Sequence, residues 1–162
     1  LVSQPKAGGE TEKLVKQLGI GDKIQFVHGI STATMVEHYA RSSIAVVPSI
    51  YEGFGLPAGE AMACGVPVIA TDGGALPEVV GQAGLTVPIK DADAIAAAIE
   101  KLLSNPKARE QYGQLGRKRI ENKFSWQLVA EQMSALYRQI LDAETVPDME
   151  TALHSKVEHA NS

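Results

Sequence analysis

The sequence predicts an α/β protein built on an open, doubly wound parallel sheet. Three observations carry that expectation. Short apolar, β-branched runs alternate with longer amphipathic stretches along the chain. The run Ile44–Val47 is apolar without interruption, as in strands covered on both faces of a parallel sheet. A repeating strand–helix–strand order implies crossover helices between parallel strands.

Each element follows from its residues. Leu1-Val2-Ser3 reads as the end of a strand cut from something longer. Thr11 to Leu18 reads as a helix, with Leu14, Val15 and Leu18 on one face and Gly19 as its stop. Ile24–Val27 reads as a short strand ending at Gly29. Ser31 or Thr32 caps the next helix, which turns Met35, Val36 and Tyr39 toward the core. Ile44–Val47 is the second full strand, ended by Pro48. A Gly-rich turn, Tyr51–Gly55, leads into a helix with Pro57 in its first turn, where a missing N–H goes unnoticed. That helix runs to about Cys64 and stops at Gly65. Its small apolar residues, Ala58, Ala61, Met62 and Ala63, suit close packing on a sheet. Val68–Ala70 is a buried strand, Gly73-Gly74 a turn, Leu76–Val80 a short helix opened by Pro77, and Leu85–Val87 a further strand. Asp91 caps a helix from Ala92 to Leu103. A helix rich in Lys and Arg follows Pro106. Ser125 caps the last, Trp126 to Leu141, where Trp126, Val129, Met133, Leu136, Tyr137 and Ile140 recur at helical spacing and Trp126 reads as a core anchor. From Asp142 the chain is polar, and residues 142–162 read as a frayed or disordered tail. The sequence thus predicts four strands plus the stub at Leu1, with no internal repeat.

Composition narrows the function. The 162 residues are enough for one domain or much of one, with 44% apolar and 21% charged residues, the balance of an ordinary globular protein. A formal net charge of -4 argues against nucleic acid as the main partner. Cys64 is the single cysteine, so no internal disulfide can form and a reducing cytoplasm is the simpler setting. No apolar run approaches the ~20 residues needed to cross a bilayer, and no signal peptide opens the chain.

Ligands of open α/β sheets bind beyond the carboxyl ends of the strands. The segment after Ile44–Val47 is Pro48-Ser49-Ile50-Tyr51-Glu52-Gly53-Phe54-Gly55-Leu56-Pro57-Ala58-Gly59-Glu60. Gly53 and Gly55 allow a sharp turn and a close approach to a ligand. The N–H groups of Phe54, Gly55, Leu56 and Ala58 stand at or just before a helix start, a natural phosphate seat. Two carboxylates beside a phosphate seat conflict unless they face hydroxyls instead. A carboxylate accepts from two neighbouring O–H groups at once, in strong charge-assisted bonds. A ligand with a diol at each end and phosphates between satisfies every part, and a nucleotide-sugar is such a ligand. Glu60, one turn inside the helix, and Glu52, in the loop, can address its two ends.

The string "PSIYEGFGLPAGEAMACGVPVIATDGGALPEVV" resembles the signature of the retaining glycosyltransferases with two Rossmann-like domains (the GT-B fold), often called glycosyltransferase family 4. Its mark is the pair Glu52 and Glu60, separated by seven residues. The likeness extends through "FVHGIS", "HYARSSIAVVPS", "GLTVPIKDADAIAAAIEKLL" and "FSWQLVAEQM". It implies a nucleotide-sugar-binding Rossmann-like domain over residues 1–141, N-terminally truncated and followed by the tail. In that family Glu52 would hold donor-sugar hydroxyls near the reacting carbon, and Glu60 would accept from the ribose. Backbone around Gly53, Phe54, Gly55 and Leu56 would touch sugar hydroxyls and the distal phosphate. The Gly29-Ile30 backbone would face the base. Retention by front-face attack would make Glu52 an electrostatic helper to an oxocarbenium-like centre. The resemblance calls for no metal and no cofactor, the nucleotide-sugar being the donor substrate. The acceptor, a sugar, lipid or small molecule, would be read by an N-terminal domain that precedes Leu1, together with the family's Arg and Lys for the diphosphate. Gly59, where the family often has a larger apolar residue, is a departure.

Other features have plainer readings. Asp91-Ala92-Asp93 resembles a metal-binding Asp-x-Asp, but Asp91 suits a helix cap and Asp93 the helix's positive end. His28, His38, His154 and His159 show no ligand spacing, and only His28 lies near the proposed pocket. Cys64 reads as a small buried hydrophobe. Arg117, Lys118 and Arg119 read as a solvated helix face, with peripheral membrane contact as a further reading because some relatives act on lipid-linked acceptors. A non-catalytic nucleotide-binding module is the alternative function. A dinucleotide-dependent dehydrogenase fits poorly, since no Gly-x-Gly-x-x-Gly follows a first strand.

Overall fold

A computed structural model describes residues 5–143. Helices α1 (Glu10–Leu18) and α2 (Thr32–Ala40) precede strand β1 (Ala45–Val47). Helix α3 (Leu56–Ala63), strand β2 (Val68–Thr71), helix α4 (Leu76–Val80) and strand β3 (Leu85–Val87) follow. Helices α5 (Ala92–Leu103), α6 (Pro106–Lys123) and α7 (Trp126–Ala143) complete the order. The three strands form one parallel sheet, β1-β2-β3, in which Val46 pairs with Ile69 and Ala70 with Thr86. The chain divides into two compact units, Leu1–Arg117 and Lys118–Ser162, with the division inside α6.

Every residue of β2 is buried, the apolar run Val68–Ala70 and the polar Thr71 alike. Neighbouring side chains on a strand point to opposite faces, so both faces of β2 are covered. Ile69 packs with Ala98 and Leu102 of α5, and Leu85, Val87, Ile99 and Tyr112 close around them. Ala58, Ala61 and Met62 of α3 and Leu76, Val79 and Val80 of α4 are buried as well. Gly113 and Gly116 of α6 allow close approach: a Cβ at Gly113 would run into the carbonyl of Gly65, and one at Gly116 would lie 3.3 Å from Met62.

The caps are where the side chains predict them. Ser31 accepts from the Thr34 amide, Asp91 from the Ala94 amide at 2.8 Å and Ser125 from the Leu128 amide. The Asp91 carboxylate is thus engaged as an N-cap.

Three expectations are corrected. Ile24–Val27 forms no strand: only Val27 makes an isolated bridge, and none of the four residues is buried. A short run needs a neighbour with which to form a ladder, and Ile24-Gln25-Phe26-Val27 is not part of the β1-β2-β3 sheet. Helix α2 contributes no buried residue to the core. Trp126 is 88% exposed, and Val129, Met133, Leu136, Tyr137 and Ile140 are exposed with it. Their spacing records an apolar helix face, but these residues are exposed rather than part of a core. The strand stub at Leu1, most of the polar tail, His154 and His159 lie outside the described residues. Asp142 continues α7.

Candidate functional site

The loop after β1 is held from several sides. The Thr71 hydroxyl donates to the Ser49 carbonyl, tying the loop to β2. The Ser49 hydroxyl donates to the Glu52 carboxylate at 3.0 Å, and the Ala75 amide donates to the Glu52 carbonyl at 2.9 Å. Gly73 and Gly74 press their backbones against this loop. A Cβ on Gly73 would stand 2.6 Å from the Ile50 carbonyl oxygen, and one on Gly74 would collide with that of Glu52. Gly74 also has a φ of 62°, in the left-handed region. The glycine pair is therefore more than a plain turn: it is the backing of the segment that carries Glu52.

Gly55 caps α3 with a φ of 92° and offers no side-chain oxygen to the first turn. The amides there have lost the usual Ser, Thr or Asp partner. The Glu52 Cγ lies 3.8 Å from where a Cβ on Gly55 would stand, so the carboxylate stem runs alongside the helix start. Gly55 is buried, whereas Gly53, Phe54 and Leu56 are exposed beside it.

Glu60 follows one turn later on α3, about 7 Å farther along the axis than Gly55 at helical rise. It lines a cleft of about 290 Å³ between α2 and α3, together with Ile30, Met35, Val36, Tyr39 and Cys64. The Tyr39 hydroxyl donates to Glu60 Oε2 at 3.2 Å and lies 3.4 Å from the Pro57 carbonyl. Burial, then the negative charge of Glu60, push the Tyr39 phenol up to about 12. Burial and the same carboxylate push the Cys64 thiol up, with Arg117 pulling the other way. A thiol so placed is a protonated lining group.

Ile30 and Glu60 thus share one cleft, while Glu52 and the Gly53–Leu56 turn gather at the head of α3. Glu52 does not line the α2–α3 cleft. Gly29 and His28 are exposed and outside that cleft too. The sequence reading missed Tyr39 and Ser49, the hydrogen-bond partners of the two carboxylates. Ser49 stands three residues before Glu52, a spacing at which a short hydroxyl can reach back. Nothing local marks Tyr39, because it meets Glu60 across 21 positions of sequence.

The family model for group 1 glycosyl transferases matches residues 7–119. The chain belongs to the group 1 glycosyl transferases. Among curated members it is 42% identical, over 145 residues, to the MMP alpha-(1->4)-mannosyltransferase of Mycolicibacterium hassiacum; the match covers 87% of this chain and 35% of that protein. Among solved structures it is similar to sucrose-phosphate synthase from Thermosynechococcus elongatus, with a TM-score of 0.78 and 41% identity, covering 88% of this chain and 37% of that one. It is similar also to the C-terminal domain of a group 1 family protein from Francisella tularensis, with a TM-score of 0.63 and 37% identity, covering 72% of this chain and 62% of that one. The group 1 chain described here spans about a third of the length of the first two. The fold it shares with them is the Rossmann-like α/β half of the GT-B architecture.

Proposed function

We propose that this chain is the donor-binding domain of a retaining glycosyltransferase of the family 4 type, which moves a sugar from a nucleotide-sugar to an acceptor hydroxyl. The observation that carries the proposal is the arrangement around α3. Glu52 is fixed on a buttressed loop beside an uncapped helix start, and Glu60 faces a cleft one turn on. Glu60 accepts from the ribose diol, and Ile30 with the Gly29 backbone faces the base. The amides of Gly53, Phe54, Gly55 and Leu56 meet the diphosphate and sugar hydroxyls, supplying the electrostatic role that a metal plays elsewhere. Glu52 holds sugar hydroxyls and stabilises the positive charge that develops at the reacting carbon during front-face attack. The acceptor is a sugar, a lipid or a small molecule bound outside this domain. The single cysteine, Cys64, suits a cytoplasmic enzyme, and the basic run Arg117–Arg119 suits peripheral contact with a membrane bearing lipid-linked acceptors.

A calorimetric titration with uridine, guanosine and adenosine diphosphate sugars tests the donor site. Glu60→Ala is expected to weaken the best binder about tenfold or more, the scale of a charge-assisted hydrogen-bond pair. In the protein that carries this domain beside its acceptor half, Glu52→Ala is expected to lower turnover far more than donor affinity. Undiminished turnover of the Glu52→Ala enzyme would rule out the catalytic assignment. Binding without transfer in the unaltered two-domain protein would favour a non-catalytic nucleotide-binding module.

A further inference from the structure

We infer that Tyr39 is a positioning residue for the donor site: its hydroxyl locks the Glu60 carboxylate in the orientation that receives the ribose diol. The inference rests on the reading of Glu60 given above and adds the residue that sets its geometry. Tyr39 reaches the site from a different helix, near the end of α2, and donates to Glu60 Oε2 at 3.2 Å. A glutamate on an open helix face turns freely about its side-chain bonds. Binding a diol with both oxygens requires that freedom to be lost. A phenol hydrogen bond to one oxygen removes it in advance. Oε1 and the second lone pair of Oε2 stay available, since an ionised carboxylate accepts at about four sites.

The phenol has two acceptors within reach, the Pro57 carbonyl at 3.4 Å and the carboxylate at 3.2 Å. The carboxylate is both closer and charged, so it is the favoured acceptor. Both Tyr39 and Glu60 line the cleft, so the bond lies in the wall that a ribose would touch. The raised ionisation point of Tyr39 is consistent with this, because the phenol stays a donor across the physiological range. No residue of α2 is fully buried, so this wall is only partly packed.

The test measures binding of uridine, guanosine and adenosine diphosphate, each beside its 2′,3′-dideoxy form, to the full chain and to Tyr39→Phe, Glu60→Ala and the double variant. Tyr39→Phe keeps the ring, and thermal unfolding confirms that each variant folds. The expected result is a loss of about threefold to tenfold in ribonucleotide affinity for Tyr39→Phe. No loss is expected for the dideoxy forms, and no further loss when Glu60 is already alanine. Equal weakening of ribo and dideoxy forms would make Tyr39 a wall of the cleft and nothing more, overturning the inference. Unchanged affinity in Tyr39→Phe beside a weakened Glu60→Ala would overturn it while leaving the donor site intact. If Glu60→Ala binds as tightly as the parent, or no nucleotide binds, the ribose role of Glu60 fails and the inference falls with it.

Discussion

At the scale of single residues, the site depends on atoms that are missing as much as on those present. Gly74 has no Cβ because the Glu52 carbonyl stands where one would go, and its φ is positive besides. Gly74→Ala is expected to cost about 1–3 kcal/mol or more, since the obstacle is backbone and cannot swing aside. Denaturant midpoints measure this, and a midpoint shift below about 0.5 kcal/mol equivalent would contradict the packing described. Tyr39 supplies a prediction with a sign. Its phenol ionises near 10 when exposed and is pushed up to about 12 in the folded chain. Between those values the folded state keeps a proton that the unfolded state has released. The contribution is complete below pH 10 and disappears as pH rises through the folded value. Urea midpoints at pH 9 and pH 11 should therefore fall more steeply for the parent than for Tyr39→Phe. Parallel slopes would contradict it.

At the scale of elements, local signals and packing divide the work. The caps of α2, α5 and α7 were readable because a Ser or Asp side chain satisfies its own helix within three residues. Strands β1, β2 and β3 were readable from their short apolar runs, but the double burial expected of such a run holds only for β2: Val46 of β1 and Thr86 of β3 are exposed. Ile24–Val27 is also short and largely apolar, though broken by Gln25, and it fails as a strand, because pairing is a property of neighbours. The α7 face shows the converse limit. Periodicity reveals that Trp126 and Tyr137 share a stripe, but only the folded chain shows that they are exposed. In the site, the Glu52–Glu60 spacing and the glycine turn were legible. The partners Tyr39 and Ser49 were not, because a hydrogen bond across elements leaves no trace in local sequence. Arg109 is another such case: its guanidinium bonds the Leu102 and Leu103 carbonyls at 2.7 Å, closing the C-terminal end of α5 from the next helix. Arg119, read as part of a solvated face, instead lies over the Phe124 ring at 5.9 Å.

At the scale of the sheet-bearing unit, stability is concentrated around β2. Ile69 and Leu102 are fully buried in one cluster, whereas no residue of α1 or α2 is fully buried. Leu102→Ala is expected to destabilise by about 2–5 kcal/mol, the usual result of a cavity in a core that cannot collapse. A loss under 1 kcal/mol by calorimetry would mean that α5 is less firmly seated on the sheet than its contacts indicate.

The helix that presents Glu60 is anchored from beneath by Ala58, Ala61 and Met62, with Gly116 of α6 seated directly on Met62. The opposite bank of the cleft has no such anchor. The two banks should therefore breathe at very different rates, and amide hydrogen exchange can time them separately. Deuterium should enter α2 early and α3 late, and a bound nucleotide should slow uptake mainly in α2. Recognition would then be the tightening of a pliant jaw onto a fixed one, with most of the ordering cost carried by nine residues of a single helix.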